Sequence, residues 1–74
     1  MEHLQILGET IRAERGKRGL SQEALADMAG ISRTHVGEIE RGTVNVSFST
    51  LESTASGLGI LISDLMRLYE NRTK

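Results

Sequence analysis

The 74-residue chain has no cysteine and no proline. Without cysteine, neither a disulfide nor a thiolate metal site can brace it, and its two histidines make no zinc set. No apolar run approaches the length of a membrane span, and the opening MEHLQILGET is not a signal peptide. Absent cysteine fits a reducing compartment, so a cytoplasmic protein is expected. Basic charge is not in excess either, because the formal net charge is −1. Free DNA-binding domains often carry a basic surplus, since phosphate contacts supply much of their affinity. The distribution is more informative than the sum. Arg12, Arg15, Lys17 and Arg18 cluster near residue 15, Arg33 and Arg41 flank a short segment, and Glu52, Asp64 and Glu70 lie in the last third. Linkers, internal repeats and low-complexity segments are also missing, and 74 residues give room for one core, so a single domain over 1–74 is expected.

What is present is a tightly constrained stretch, SQEALADMAGISRTHVGEIERG, over residues 21–42. Ser21 and Ser32 are good helix caps. Gly30 supplies the left-handed residue that ends a helix at low steric cost. Ala26 is small where two steeply crossing helices meet, and Gly30 follows four residues later. Val36 and Ile39 come six and nine residues beyond that glycine and share one helical face. This is the spacing of a DNA-binding helix-turn-helix, with sterics fixing several positions at once. The rest of the chain reads as helix too. Leu4, Leu7 and Ile11 define a first helix over about 3–18, in which Gly8 and Gly16 each cost about 1 kcal/mol relative to alanine. The motif helices follow at about 22–29 and 33–41. Ser47 caps a fourth at about 48–58, with Leu51, Ala55 and Leu58 inward, and a fifth covers about 62–70. The fold class is therefore all-α, a compact five-helix domain.

The residues Gly19-Leu20-Ser21-Gln22, Ala26, Gly30, Val36, Ile39, Glu40-Arg41-Gly42, Leu51, Ala55, Leu58 and Leu65 carry a wider likeness. The chain resembles the phage Cro and repressor family of bacterial helix-turn-helix regulators over about residues 7–66. Within it, the short length and the run SRTHVGEIERGTVNVSFSTL are similar to the controller proteins of restriction-modification systems. The resemblance implies a lambda-repressor-like fold and a dimer on a pseudo-palindromic double-stranded DNA operator, activating and repressing its own operon. Antitoxin-type and phage repressors share the pattern, and a protein-binding adaptor is the alternative from another class. Two positions depart from the family. Glu14 stands where relatives often have leucine, which predicts thinner packing of the first helix. Leu61 replaces a Ser or Thr cap, at a loss of about 1 kcal/mol.

The family's second motif helix lies in the major groove with its N-terminal residues toward the bases. Arg33, Thr34, His35 and Glu38 are the base-reading candidates: Arg33 to guanine, Thr34 to a thymine methyl or a phosphate, Glu38 to cytosine N4. Gly37 is placed on the same outer face. Phosphate contacts are assigned to Gln22, at the start of the first motif helix, and to Ser32, Asn45, Ser47, Ser49, Lys17, Arg18 and Arg41. Arg15 and Glu40 should form a structural ion pair, as the matching positions do in related domains. The dimer face is drawn from Leu61, Ile62, Leu65, Leu68 and Tyr69, within about residues 60–70, with Leu65 and Ile60 also counted in the monomer core. Glu23 and Asp27, four apart on one exposed helix face, resemble the acidic patch through which activating phage repressors touch the polymerase sigma factor. No cofactor, metal or catalytic group is expected. Ser32, Thr34 and His35 are adjacent, but adjacent helical residues point apart and no acid orients the histidine.

Overall fold

The computed structural model describes residues 2–74. Five helices follow one another: α1 Glu2–Lys17, α2 Gln22–Ala29, α3 Arg33–Arg41, α4 Phe48–Gly57 and α5 Ile62–Arg72, with no strand among the described residues. α1 packs on α3 and α5, and α2 packs on both α3 and α4. The core is Leu7, Ile11, Leu25, Ala26, Val36, Ile39, Ala55, Leu58 and Leu65. These are largely the positions at which apolar periodicity points inward. Leu51 is half-buried and packs on this core from α4. α5 continues two residues past the expected end, and α4 closes at Gly57 with Leu58 as its C-cap.

Three serines start three helices. The hydroxyl of Ser21 accepts from Ala24 N, that of Ser32 from His35 N and that of Ser47 from Thr50 N. Each cap contributes about 1 kcal/mol. Leu61 makes no such bond, but the carboxylate of Asp64 accepts from its backbone N–H at 3.2 Å. Half of a reciprocal capping arrangement therefore survives and offsets part of the loss expected for a leucine there.

Gly8 is not the weakness its helix propensity implies. A Cβ built on it would lie 2.4 Å from the Glu40 carbonyl oxygen and 2.5 Å from that of Ile39. α1 crosses the last turn of α3 at this point, and only a glycine permits that approach. Gly42 completes the contact from the other side. It takes φ 72° at the end of α3 and abuts the backbone of Gln5.

Glu14 is buried, contrary to thin packing, and it is fully partnered. Lys17 Nζ and Arg18 Nη1 both donate to its carboxylate at 3.0 Å. Arg18 also donates through Nε to the Leu58 carbonyl and through Nη1 to the Glu14 carbonyl. The result is an ionic tie between the end of α1 and the C-cap of α4. Burial works against the Glu14 charge, but the bonds from Lys17 and Arg18 together outweigh it and hold its pKa below the ordinary value.

Candidate nucleic-acid interface

The outer side of α3 follows from what its inner side buries. Val36 and Ile39 are 1% and 2% exposed, which turns Arg33 and Thr34 of the first turn out to solvent. His35 and Glu38 are half-buried, and His35 Nδ1 lies 3.5 Å from Glu38 Oε1, a weak polar contact along the helix. The expected position of Gly37 on this face is corrected. It is buried, because the Arg41 guanidinium folds back over it, with Nη1 3.1 Å from where a Cβ would stand. The Gln22 Oε1 lies 3.8 Å from the same point, so Gly37, Arg41 and the first residue of α2 converge. The Arg41 guanidinium thereby lies near the N-terminus of α2, whose free N–H groups favour an anion.

Glu40 holds this corner together. Its carboxylate accepts from Arg15 Nε at 2.7 Å and Nη2 at 3.0 Å, a bidentate pair, and from Gln22 Nε2 at 3.0 Å. Arg15 Nη1 donates to the Leu20 carbonyl at 2.8 Å. One carboxylate therefore ties α1 and α2 to the end of α3, and Arg15 adds the turn before α2. The paired Glu40 raises the pKa of the Arg15 guanidinium, against an opposing effect of burial. Gln22 is thus a strut as well as a phosphate candidate, a link invisible in the sequence because Gln22 and Glu40 are 18 residues apart.

The other candidates divide. Ser32, Asn45, Ser47 and Ser49 are exposed, with the Ser47 and Ser49 hydroxyls 3.3 Å apart, and Thr43 bonds back to the Glu38 carbonyl. Lys17 is two-thirds exposed despite its bond to Glu14. Arg18 is exposed, but its Nε and Nη1 already serve Leu58 and Glu14, which makes it a tie between helices as well as a phosphate candidate. Leu65 is a second correction, since at 0% exposure it belongs wholly to the core and offers no dimer surface. Ile62 and Tyr69 are half-buried against that core, Leu68 is half-buried, and Leu61 is exposed. Glu23 and Asp27 are both exposed on α2. Sequence reading passed over Met28 and Phe48, which stand 60% and 66% exposed.

A helix-turn-helix family profile matches residues 11–65, three-quarters of the chain, including α2, α3 and the Arg15–Glu40 pair. The chain belongs to the helix-turn-helix family. It is 39% identical over 66 residues to the control protein C.SmaI of Serratia marcescens, spanning 89% of this chain and 79% of that one. It is likewise 39% identical over 62 residues to C.BamHI of Bacillus amyloliquefaciens, over 82% and 76% of the two chains. The crystal structure of the restriction-modification controller protein C.AhdI of Aeromonas hydrophila superposes with a TM-score of 0.85 at 38% identity, over 88% of this chain and 98% of that one. The chain is therefore a helix-turn-helix transcription regulator most like restriction-modification controller proteins, and its relatives are DNA-binding regulators.

In this helix-turn-helix domain α3 presents a two-donor guanidinium, a hydroxyl and a carboxylate within about a turn and a half. That set can distinguish base edges in a major groove. Among the described residues no group of side chains is placed to hold a metal, and no helix is long and apolar enough to cross a membrane.

Proposed function

We propose that the chain binds a pseudo-palindromic operator as a homodimer and controls transcription of the operon that contains it, as restriction-modification controllers do. One observation carries the reading: the first turn of α3 exposes Arg33 and Thr34, while Glu40 and its partners hold that helix rigidly on α1 and α2. A rigid platform with an exposed reading turn suits a major groove, where base contacts must be placed to a fraction of an ångström. Arg33, Thr34, His35 and Glu38 read bases. Gln22, Ser32, Arg41, Asn45, Ser47, Ser49, Lys17 and Arg18 contact phosphates. Two copies place their α3 helices roughly 34–36 Å apart, one turn of duplex.

The protein acts as a single regulatory domain in the cytoplasm, on the nucleoid, and catalyses nothing. Glu23 and Asp27, exposed beside the DNA backbone, recruit the basic DNA-binding region of the sigma factor by complementary charge. Protection mapping on the DNA upstream of the gene tests the reading. Two protected half-sites one helical turn apart are expected. Uniform protection, or none, would refute operator binding and favour an adaptor that binds another protein.

A further inference from the structure

We infer that Gly37 is a positioning residue for DNA binding: its missing side chain leaves the seat in which the Arg41 guanidinium lies, ready to meet a phosphate. The inference rests on the phosphate contact assigned to Arg41 above and adds the residue that sets it. Side chains on a helix lean toward its N-terminus, so Arg41 covers the turn that contains Gly37, four residues earlier. Arg41 Nη1 lies 3.1 Å, and its Cζ 3.9 Å, from where a Gly37 Cβ would stand. Gly37 is buried beneath it, while Arg41 itself is exposed. No backbone conformation demands glycine here, because the glycines with positive φ are Gly19, Gly30, Gly42 and Gly59. In mid-helix a glycine costs stability relative to alanine, so what it supplies is space.

The seat has a wall as well as a floor. Gln22 Oε1 lies 3.8 Å from the same point, and Gln22 is kept there by the bond from its Nε2 to Glu40 at 3.0 Å. The neighbouring arginines are engaged elsewhere, Arg15 with Glu40 and Arg18 with Glu14, whereas Arg41 makes no ion pair among the described residues. In a helix-turn-helix the first motif helix crosses the DNA backbone while the second enters the groove. A guanidinium lying on α3 near the first residue of α2 is therefore set where a phosphate passes. A long side chain ordinarily loses rotamer freedom when it closes on a phosphate, and Arg41 over Gly37 has lost part of it before DNA arrives. A side chain at position 37 would take the seat without disturbing the fold, because the atom 3.1 Å away is the far end of a flexible arginine. This separates Gly37 from Gly8, whose Cβ would meet backbone carbonyls.

Fluorescence anisotropy on the full chain, with the upstream DNA and a random duplex across a salt series, tests this. Gly37→Leu, which fills the seat, should weaken binding to both DNAs by the same factor, roughly three- to tenfold, because a phosphate contact carries no sequence information. Gly37→Ala should lose less, and its thermal melt should be at least as high as that of wild type. Arg41→Ala should lower the salt slope by about one, and adding Gly37→Leu to it should cause no further loss. Undiminished affinity in Gly37→Leu, a loss confined to the operator, or a lowered melt in Gly37→Ala would overturn the inference and leave operator binding standing. So would an equal loss from Gly37→Leu once Arg41 is gone, since the leucine would then be meeting DNA directly. Wild-type affinity and slope in Arg41→Ala would overturn it together with the phosphate contact on which it rests. Equal wild-type affinity for the two DNAs would overturn the operator reading alone, because the loss in Gly37→Leu is read on either duplex. A wild-type chain that binds neither DNA would overturn both.

Discussion

Replacing Glu40 by alanine removes the acceptor that joins α1 and α2 to the end of α3. Its side chain is 4% exposed and that of Arg15 is 16%, so the pair sits largely out of water. Glu40→Ala leaves the guanidinium with one of its three bonds, that to the Leu20 carbonyl, and leaves Gln22 Nε2 without its acceptor. Stranding one partner of a buried pair costs about 3–5 kcal/mol, and the residual solvent access of Arg15 points to the lower end, about 3 kcal/mol. A domain of this length has a total stability of about 4–11 kcal/mol. The loss therefore shifts Tm by roughly 12–24 °C. Urea unfolding followed by circular dichroism should show a fall in the midpoint at constant m. The double change Arg15→Met with Glu40→Leu should be less damaging than Glu40→Ala alone, because no charge is left unpaired. A loss for Glu40→Ala below about 1 kcal/mol, the range of an exposed pair, would refute the view that this carboxylate holds the motif together.

Other outcomes follow from the same geometry. The Glu14 pKa is lower in the folded chain than in the unfolded one, so its contribution is complete above the ordinary carboxylate value of 4.5 and is lost as pH falls through the folded value. Stability measured from pH 6 downward should therefore fall less steeply below about pH 4.5 in Glu14→Gln than in wild type; parallel acid limbs would count against the tie. Gly8→Ala should destabilise by about 1–3 kcal/mol despite alanine's better helix propensity, because its Cβ meets the Glu40 carbonyl. Thermal melts that show a gain instead would contradict the crossing. Arg33→Ala should cost about 1–3 kcal/mol on operator and little on random DNA by fluorescence anisotropy. Glu23→Gln with Asp27→Asn should keep operator affinity and abolish stimulated transcription in vitro; stimulation that survives at matched occupancy would leave these carboxylates as surface charges.

Much of the fold was legible because local sterics wrote it into the chain. Ser21, Ser32 and Ser47 announce helix starts, and Ala26, Gly30, Val36 and Ile39 together admit few arrangements besides two crossing helices. The exposure of Arg33 and Thr34 followed directly from the burial of Val36 and Ile39. What was hidden depended on contacts between distant segments. Gly8 looked like a weak helical position until the end of α3 was laid across it. Gly37 looked exposed because the return of Arg41 over its own helix leaves no periodic signal. Arg18 looked like a free cation because its acceptor on Leu58 is 40 residues away. Leu65 was counted on two surfaces because an apolar residue on a short helix announces burial without saying what covers it. The buried Glu14 beside two cations, at spacings of three and four, was the one signal that could have exposed the ionic tie beforehand.

The central claim, sequence-specific DNA recognition through α3, is tested most directly by one titration series. The purified chain is bound to its upstream DNA and to random duplex across a range of salt, alongside Arg33→Ala. The account predicts operator binding at least about a thousandfold tighter than random binding in the wild type, with a steep salt slope. Arg33→Ala should lose much of that ratio and keep the slope, because Arg33 reads a base and the phosphate contacts lie elsewhere. Equal affinity for the two DNAs, or a ratio unchanged in Arg33→Ala, would contradict it.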